Sequence, residues 1–467
     1  MLKKDNKKKE NSMNFGIILA GGKGTRMKTD LPKCAMPILG KPMVSYLIDS
    51  LAETTIDKSI VVLGHKKEDF YEIIGDKAEI VVQEKQLGRA NAVNCCRDIV
   101  GDNVGYSIIV NGDTPLIDRT IIQGLIDTYF KDKSKLALAT IKVDNPKGRG
   151  RILRNEAGKI VKVIKEDEAT EAEKKITEVN TGFMCVDNQI LFETLKHVDN
   201  NNPLGEYFLT DIVELIAKNH NVTSFSIDAS YKLDGINDLF HLYEVEKELK
   251  FEINKRHMLN GVRLESADTI TIGPDVIIEP NAIIRSASTL LGKTIVESYA
   301  IVGPNTELNN GIVREGARVN HSLINDSELG KNATLGPYSH LRAGTVVGEG
   351  DRIGNFVEIK NSTLGPKTNV AHLTYIGDTT CGGGVNWGCG TVTINYDGHN
   401  KYKTKIGDNV FIGCNSNLVA PINIGSNTFI AAGSTVTDDL DDGDFTVARM
   451  RQVTKKGYAS KYGFKKI

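Results

Sequence analysis

The sequence predicts an α/β chain in two unlike halves. A mainly parallel, Rossmann-like sheet covered by helices comes first, then a linker helix, then a parallel β-helix of hexapeptide repeats. Three observations carry that expectation. Short apolar runs alternate with helical patterns from Met13 to about Asp238. From about Val262, aliphatic residues recur at every sixth position. The chain also holds 45 glycines against 6 % aromatics and one Trp, a balance suited to a turn-rich, repetitive half.

The first strand candidate is Phe15–Ala20 (FGIILA), apolar throughout as a strand buried on both faces must be. Met43–Leu51 has helical spacing, and Ser59–Leu63, Ala78–Val82, Ser107–Val110 and Leu136–Val143 are strand-like. Strands separated by helices imply right-handed crossovers and parallel pairing. Ligands of such sheets bind at the carboxyl ends of the strands. Leu239, Leu242, Val245, Leu249 and Ile253 then recur at helical steps among Glu and Lys, which makes Leu239–Met258 a linker helix with a mechanical task.

Beyond it, Ile272, Ile278 and Ile284 begin the six-residue rhythm. Leu329, Leu335, Leu341, Val347, Ile353 and Ile359 continue it, and so do Ile406, Ile412, Leu418, Ile424, Ile430 and Val436. Neither a period of 3.6 nor of 2 yields strict sixes; a three-sided coil does, with one aliphatic residue per side pointing inward. Gly and Asn suit the corners, where positive φ is cheap for them. The rhythm breaks between Ile376 and Ile406, around Ile394–Lys401. Insertions in a solenoid leave as loops on one face, which makes this the place to seek a second site.

Composition excludes several classes. The 467 residues exceed one ordinary domain. Lys plus Arg is 58 and Asp plus Glu 59, a net charge of −1 that argues against a nucleic-acid coat. With 40 % hydrophobic and 25 % charged residues, the chain reads as globular. No apolar run approaches the roughly 20 residues of a membrane span. The lysine-rich start, Met1–Ser12, reads as a frayed basic tail and not as an export signal. Seven cysteines (34, 95, 96, 185, 381, 389, 414) form no CxxC pair or Cys/His cluster, which fits a reducing cytoplasm.

Chemistry is expected first in the glycine loop, Leu19-Ala20-Gly21-Gly22-Lys23-Gly24-Thr25-Arg26-Met27, followed by Pro32-Lys33. Backbone N–H groups in such a loop can surround polyphosphate oxygens. Arg26 and Lys33 would neutralise charge that builds up as a phosphate is attacked. The GxxxxGK[ST] pattern of a P-loop is absent, and so is a convincing dinucleotide fingerprint. Ile108-Ile109-Val110-Asn111-Gly112-Asp113 ends a strand in a carboxylate, and Mg²⁺ prefers one or two carboxylates plus substrate phosphates, so Asp113 is a candidate metal ligand.

The first half, through LAGGKGTRM, the following PK and NGD, resembles sugar-nucleotide pyrophosphorylases. The chain from about Met13 onward resembles bifunctional N-acetylglucosamine-1-phosphate uridyltransferase/glucosamine-1-phosphate acetyltransferases. It shares Leu87-Gly88, Asn180-Thr181-Gly182, Gly205-Glu206-Tyr207, Leu209-Thr210-Asp211 and Gly235-Ile236-Asn237 with them. The resemblance implies a tail (1–12), a uridyltransferase domain (13–238), a linker helix (239–260) and a left-handed β-helix acetyltransferase domain with a C-terminal tail (261–467). It implies that Leu19, Ala20, Gly21 and Gly22 meet the nucleotide, with Gln83 and Gly88 at the uracil. Arg26 and Lys33 would handle phosphates, Asp113 and Asn237 would hold Mg²⁺, and Gly150, Asn180 and Thr181 would contact the sugar. The sugar phosphate would attack the α-phosphorus of UTP with no covalent enzyme intermediate.

In the second half the resemblance rests on Leu341-Arg342, Asn355–Lys360 (NFVEIK), His372–Tyr375 (HLTY) and Asn395–Gly398 (NYDG). It implies His372 as general base for the glucosamine amine. Arg342 and Lys360 would lie on the sugar phosphate, Tyr375 and Asn386 on the sugar, and Asn395 at the oxyanion and the amine. Lys401, Cys414, Ala432 and Arg449 would contact acetyl-coenzyme A. A homotrimer with sites between prisms is also implied, with a place in precursor synthesis for peptidoglycan and lipopolysaccharide. Three positions depart from the pattern: Arg89 where Thr is usual, Arg149 within Gly-Arg-Gly, and Lys165 where a sugar-binding Glu is usual. They motivate a second reading, a nucleotidyltransferase for a different sugar phosphate or nucleotide joined to an active acetyltransferase. Glu166 is the alternative carboxylate, one position on.

Overall fold

A computed structural model describes residues 12–22, 24–228 and 235–462. The basic tail up to Asn11, and Lys23 of the glycine loop, lie outside the described residues. The chain forms two compact units, Met1–Leu249 and Lys250–Ile467.

In the first unit nine strands make one sheet: β1 (Phe15–Leu19), β2 (Lys58–Leu63), β3 (Glu79–Val82), β4 (Tyr106–Asn111), β5 (Leu136–Lys142), β6 (Arg151–Arg154), β7 (Ile160–Ile164), β8 (Glu178–Asp187) and β9 (Val222–Ser226). The order is β9-β5-β8-β4-β1-β2-β3, with β6 against β8 and β7 against β6. Side chains leave β1 to both faces. Ile18 joins Leu47 and Leu51 of the helix Met43–Ala52, and Ile17 joins Val93 and Ile212 on the other face. The sheet is mixed where the apolar alternation predicted a mainly parallel one. β8 is antiparallel to both β4 and β5, and β6 pairs antiparallel with β7 and β8. Between Leu136 and Asp187 the chain has only a three-residue helical turn, Glu173–Lys175. Without a helical crossover the chain returns by turns, and strand direction reverses. β1 and β4 are parallel, with Leu19 beside Asn111. The glycine loop and Gly112-Asp113 therefore leave the same edge of the sheet as neighbours.

The helix Leu239–Leu259 comes next. Val245 and Ile253 of its predicted stripe are buried, while Leu239 is half exposed. Glu246 Oε1 accepts the N–H of Leu39, and Asn254 Nδ2 donates to the carbonyls of Ala267 and Ile270.

The second unit is a parallel β-helix of three-sided coils, the left-handed prism of hexapeptide repeats. All fifteen aliphatic residues of the predicted rhythm are buried. After the first coil, where Arg263 pairs with Ile283 20 positions on, successive coils pair at offsets of 16 to 18 residues, as in Ile312 with Glu328 and Ile277 with Ile295. A later coil is longer still: Asn386 pairs with Phe411, 25 positions on, and the next coil closes in 18, Phe411 with Phe429. The excess, 25 − 18 = 7, is the loop between Ile394 and Thr404, where the rhythm breaks. Two strands, Arg352–Lys360 and Asn369–Gly377, are nine residues long because each rounds a corner without ending. The corner residues Phe356 and Leu373 have φ of 58° and 47°.

The single tryptophan, Trp387, is 2 % exposed inside the prism, so its fluorescence reports this unit alone. Replacing fully buried Leu341 by Ala should lower the denaturation midpoint read from Trp387 by about 2–5 kcal/mol of stability. An unchanged midpoint would mean that the six-residue core does not hold the prism.

Candidate active sites

The first site lies at the carboxyl edge of β1 and β4. Arg26 sits in a helical turn, Thr25–Met27, between Gly24 and Lys28, which have φ of 59° and 53°. A Cβ at Gly24 would meet Lys33 Cβ at 2.9 Å, so both the positive φ and the close approach require glycine here. Arg26 Nη2 donates to Asn237 Oδ1 at 2.7 Å, and Lys33 Nζ meets Asp113 Oδ2 at 2.6 Å. The two residues expected to bind metal thus lie against the two cations expected to bind phosphate. All four line a cavity of about 440 Å³ with Leu19, Gly21, Gly22, Gln83 and Gly88. Ala20 is buried in the core and does not line it. Gln83 Nε2 donates to the Gly88 carbonyl at 3.1 Å and to Asn91 Oδ1 at 2.9 Å, which ties the expected uracil contacts together. Cys34 borders the same cavity, but burial first, and then the Asp113 carboxylate, push its thiol up to about 12. It remains protonated and is no nucleophile.

One carboxylate and one amide oxygen on a cavity wall suit Mg²⁺, which completes its shell with water and substrate phosphates. Among the described residues no three His, Cys, Asp or Glu side chains gather as a self-sufficient metal cage.

A second cavity adjoins the first. It is about 360 Å³, and Arg149, Asn180 and Thr181 line it with Arg89, Asn111, Asp113 and Asn237. Gly150 lies behind this wall, where its carbonyl accepts the Asn180 N–H at 2.8 Å. Lys165 does not line it. Its ammonium lies 3.5 Å over the Phe208 ring and pairs with Glu168 and Asp211. Glu166 does not replace a sugar-binding carboxylate either, because it pairs with buried Arg151 and accepts the Gly148 N–H at 2.8 Å. It holds the loop that carries Arg149. Residues to which the sequence patterns gave no role also line these walls. Asn111 lies within the NGD signature, Gln86 donates to the Gly21 carbonyl, and Glu206 belongs to Gly-Glu-Tyr.

The second site runs along the corner of the prism. His372 is exposed, and its Nδ1 lies 2.9 Å from Asn355 Oδ1, its register partner one coil earlier. An amide oxygen only accepts, so Nδ1 carries a proton, and in the neutral ring Nε2 then holds the lone pair. Arg342 is the register partner of Lys360, and its Nη1 donates to Glu358 at 2.7 Å. Lys401, expected at the coenzyme, comes from the inserted loop and reaches Lys360: the Lys401 ammonium is the first cause that holds the Lys360 ammonium below the ordinary lysine range. Three cations therefore gather on one side. Asn395 is buried and its Nδ2 donates to Asp378. Asn386 lies beside Asn369, near the start of the strand that carries His372, and Tyr375 lies near its end.

Past His372, the corner row continues through Cys389, Cys414 and Ala432. The next residue after each of them pairs coil to coil: Gly390 donates to Leu373, Asn415 to Cys389, and Gly433 to Cys414. A Cβ at Gly433 would touch the Arg449 side chain at 3.5 Å, which places the fourth predicted coenzyme residue in the same row. The corner residues themselves change from bulky (His321, Tyr338, Phe356, Leu373) to small (Gly390, Asn415, Gly433), all at positive φ. A ridge thus gives way to a groove beside His372. Sequence patterns gave Asn355 and Asp378 no individual role. The signal for Asn355 was present in the coil length, since 372 − 355 = 17 is one coil.

Residues 16–170 match the MobA-like NTP transferase domain, and residues 403–438 match the bacterial transferase hexapeptide of six repeats. With the two sites, these matches define a transferase of two activities, an NTP transferase joined to a hexapeptide-repeat acetyltransferase. Over nearly its whole length the chain is similar to bifunctional protein GlmU of Acholeplasma laidlawii, at 46 % identity across 96 % of this chain and 97 % of that one. It is likewise similar to bifunctional protein GlmU of Clostridium novyi (42 %, 96 % and 99 %) and of a Geobacillus species (40 %, 97 % and 99 %). The chain belongs to this GlmU family.

Tyr375 Oη and Asn395 Nδ2 both close over Gly377, where an added Cβ would lie 2.5 and 2.7 Å from them. Gly377→Ala should displace both groups and lower acetyl transfer about 10²-fold, with nucleotidyl transfer by the same preparation unchanged. Unaltered acetyl transfer would remove Tyr375 and Asn395 from the reacting groups.

Proposed function

We propose that the chain makes UDP-N-acetylglucosamine in two steps at two separate sites. The second unit acetylates the amine of glucosamine-1-phosphate from acetyl-coenzyme A. The first unit then joins the product to UTP and releases pyrophosphate. One observation carries this reading: the chain holds two independent constellations, a Lys33–Asp113 and Arg26–Asn237 network around a cavity, and a base-and-cation group around His372. The withdrawal of Lys165 onto Phe208 and Asp211 removes much of the motive for a different sugar substrate.

In acetyl transfer, His372 Nε2 accepts a proton from the amine, whose nitrogen then bonds to the thioester carbonyl carbon. The C–S bond breaks and its electron pair leaves with the coenzyme sulfur. Asn355 fixes the imidazole tautomer. Arg342, Lys360 and Lys401 bind the sugar phosphate, Tyr375 and Asn386 orient the sugar, and Asn395 steadies the amine and the oxyanion. The pantetheine arm follows the groove beside Cys414 and Ala432 towards Arg449. In uridylyl transfer, a sugar-phosphate oxygen bonds to the α-phosphorus as the bond to pyrophosphate breaks. Gln83 and Gly88 read the uracil, Gly21 and Gly22 approach the phosphates, Arg26 and Lys33 compensate their charge, and Asn180 and Thr181 hold the sugar. Asp113 and Asn237 would hold Mg²⁺, which when bound neutralises phosphate charge.

The same reading makes the protein a homotrimer in the cytoplasm. His372 is open to solvent in the single chain, beside a ridge in which Tyr338, Phe356 and Leu373 are 59, 55 and 57 % exposed. A neighbouring copy would cover both. All seven cysteines are free, which suits a reducing compartment. Among the described residues no helix is long and apolar enough to cross a membrane.

The product assay supplies glucosamine-1-phosphate, acetyl-coenzyme A, UTP and Mg²⁺ and reads products by mass spectrometry. UDP-N-acetylglucosamine should dominate. His372→Ala should abolish acetylation and spare uridylyl transfer to supplied N-acetylglucosamine-1-phosphate, and Asp113→Asn should do the reverse. Joint loss of both activities in either well-folded variant would refute separate sites.

Lys360 provides a pH test. Because Lys401 depresses it, Lys360 loses its proton at lower pH than a lone lysine, and phosphate affinity falls with it as pH rises. In Lys401→Met the alkaline rise in KM for glucosamine-1-phosphate should move to higher pH. A limb that stays in place would show that the two ammoniums do not interact.

A further inference from the structure

We infer that Arg89 is a further catalytic residue of uridylyl transfer, a cation on the phosphate of the attacking sugar phosphate; this rests on the uridylyl-transfer reading above. Four residues line both the nucleotide cavity and the adjoining sugar cavity: Arg89, Asn111, Asp113 and Asn237. A wall shared by both cavities marks where nucleophile and α-phosphorus must meet. Asp113 and Asn237 are already engaged there by Lys33 and Arg26. Arg89 is the only cation of the four. It also borders a third cavity, with Asn180, Gly182 and Glu206.

The guanidinium is aimed at this junction. A Cβ at Gly182 would lie 3.7 Å from Arg89 Nη1 and 2.8 Å from the Asn111 amide nitrogen, so the two side chains flank the same spot over β8. Among the described residues the Arg89 side chain makes no hydrogen bond or ion pair, although the Glu206 carboxylate shares two cavities with it. A guanidinium left unpaired between two ligand cavities suits a doubly charged ligand that presents two oxygens to its fork. In the reaction, a sugar-phosphate oxygen forms the bond to the α-phosphorus, and the bond to the pyrophosphate oxygen breaks with its electron pair. Arg89 orients the attacking phosphate and offsets the repulsion between two anions as they close.

The test uses the full chain with Arg89→Gln and Arg89→Lys. In Arg89→Gln the KM for N-acetylglucosamine-1-phosphate should rise about 10- to 100-fold, as loss of a charge-assisted contact implies, while the KM for UTP changes less than about threefold. Arg89→Lys should recover part of the loss, because it keeps the charge without the fork. Inhibition by unphosphorylated N-acetylglucosamine should be equal in all three chains. Acetyl transfer, at the other site, serves as the control for folding. An unchanged KM for the sugar phosphate, or a rise confined to UTP, overturns the inference. If the unaltered chain acetylates but makes no nucleotide sugar, the uridylyl reading itself fails. Calorimetric titration with N-acetylglucosamine-1-phosphate then decides Arg89 separately, since the acetyltransferase site contributes equally to both chains. Equal heats would reject a phosphate contact, and weaker binding to Arg89→Gln would retain it.

Discussion

Burial of one aliphatic side chain at every sixth residue is the constraint on which the second unit depends. A side of the prism is stable only when its inward residue packs against those of the coils above and below, because no single coil encloses a core. Most coils are thereby held to 16 to 18 residues, and residues far apart in the chain are stacked in rows. His372, Cys389, Cys414 and Ala432 fall into one row for this reason. The seven-residue excess at the loop after Ile394 leaves the rows in register because it is extruded between two strands that still close their coils.

The first unit meets the same demand by different means. β1 is buried on both faces, so its polar business can be conducted only at its end. Leu19 and Asn111 end side by side, and each strand runs into a short polar segment: a glycine loop after one, Gly-Asp after the other. The cations of the first loop are then compensated by the carboxylate and the amide that the other segments bring. Both sites keep opposite charge close at hand before any ligand arrives, through Asp113 on Lys33 in one unit and Glu358 on Arg342 in the other. The crowded ammoniums of Lys360 and Lys401 are the exception, and there an anionic ligand has most to contribute.

Much of the substrate site was legible as residue types and little of it as wall. Arg26, Lys33 and Asp113 could be named from glycine-loop and strand-end patterns, and Asn237 from the family resemblance of Gly235-Ile236-Asn237. Ala20 and Gly150 belong to the same stretches but lie behind the surface, since pattern matching does not distinguish a backbone that supports a wall from a side chain that lines it. Lys165 reads as a cation added to the sugar site. Its long stem instead takes the ammonium to an aromatic face and two carboxylates outside the cavity.

The six-residue rhythm, the alternation of apolar runs and the Gly-rich loop determined the two halves, the prism and the edge of the sheet that carries chemistry, because each reports a local period or a local turn. The direction of β8 was decided only in three dimensions, since reversal stems from the absence of a crossover and from no feature of the strand itself. The fates of Lys165 and Glu166 were settled there too, by partners from other strands and loops. So was the place of Arg89 on a wall common to two cavities. Such placements depend on which segments share a surface, and a one-dimensional pattern carries no distance between segments.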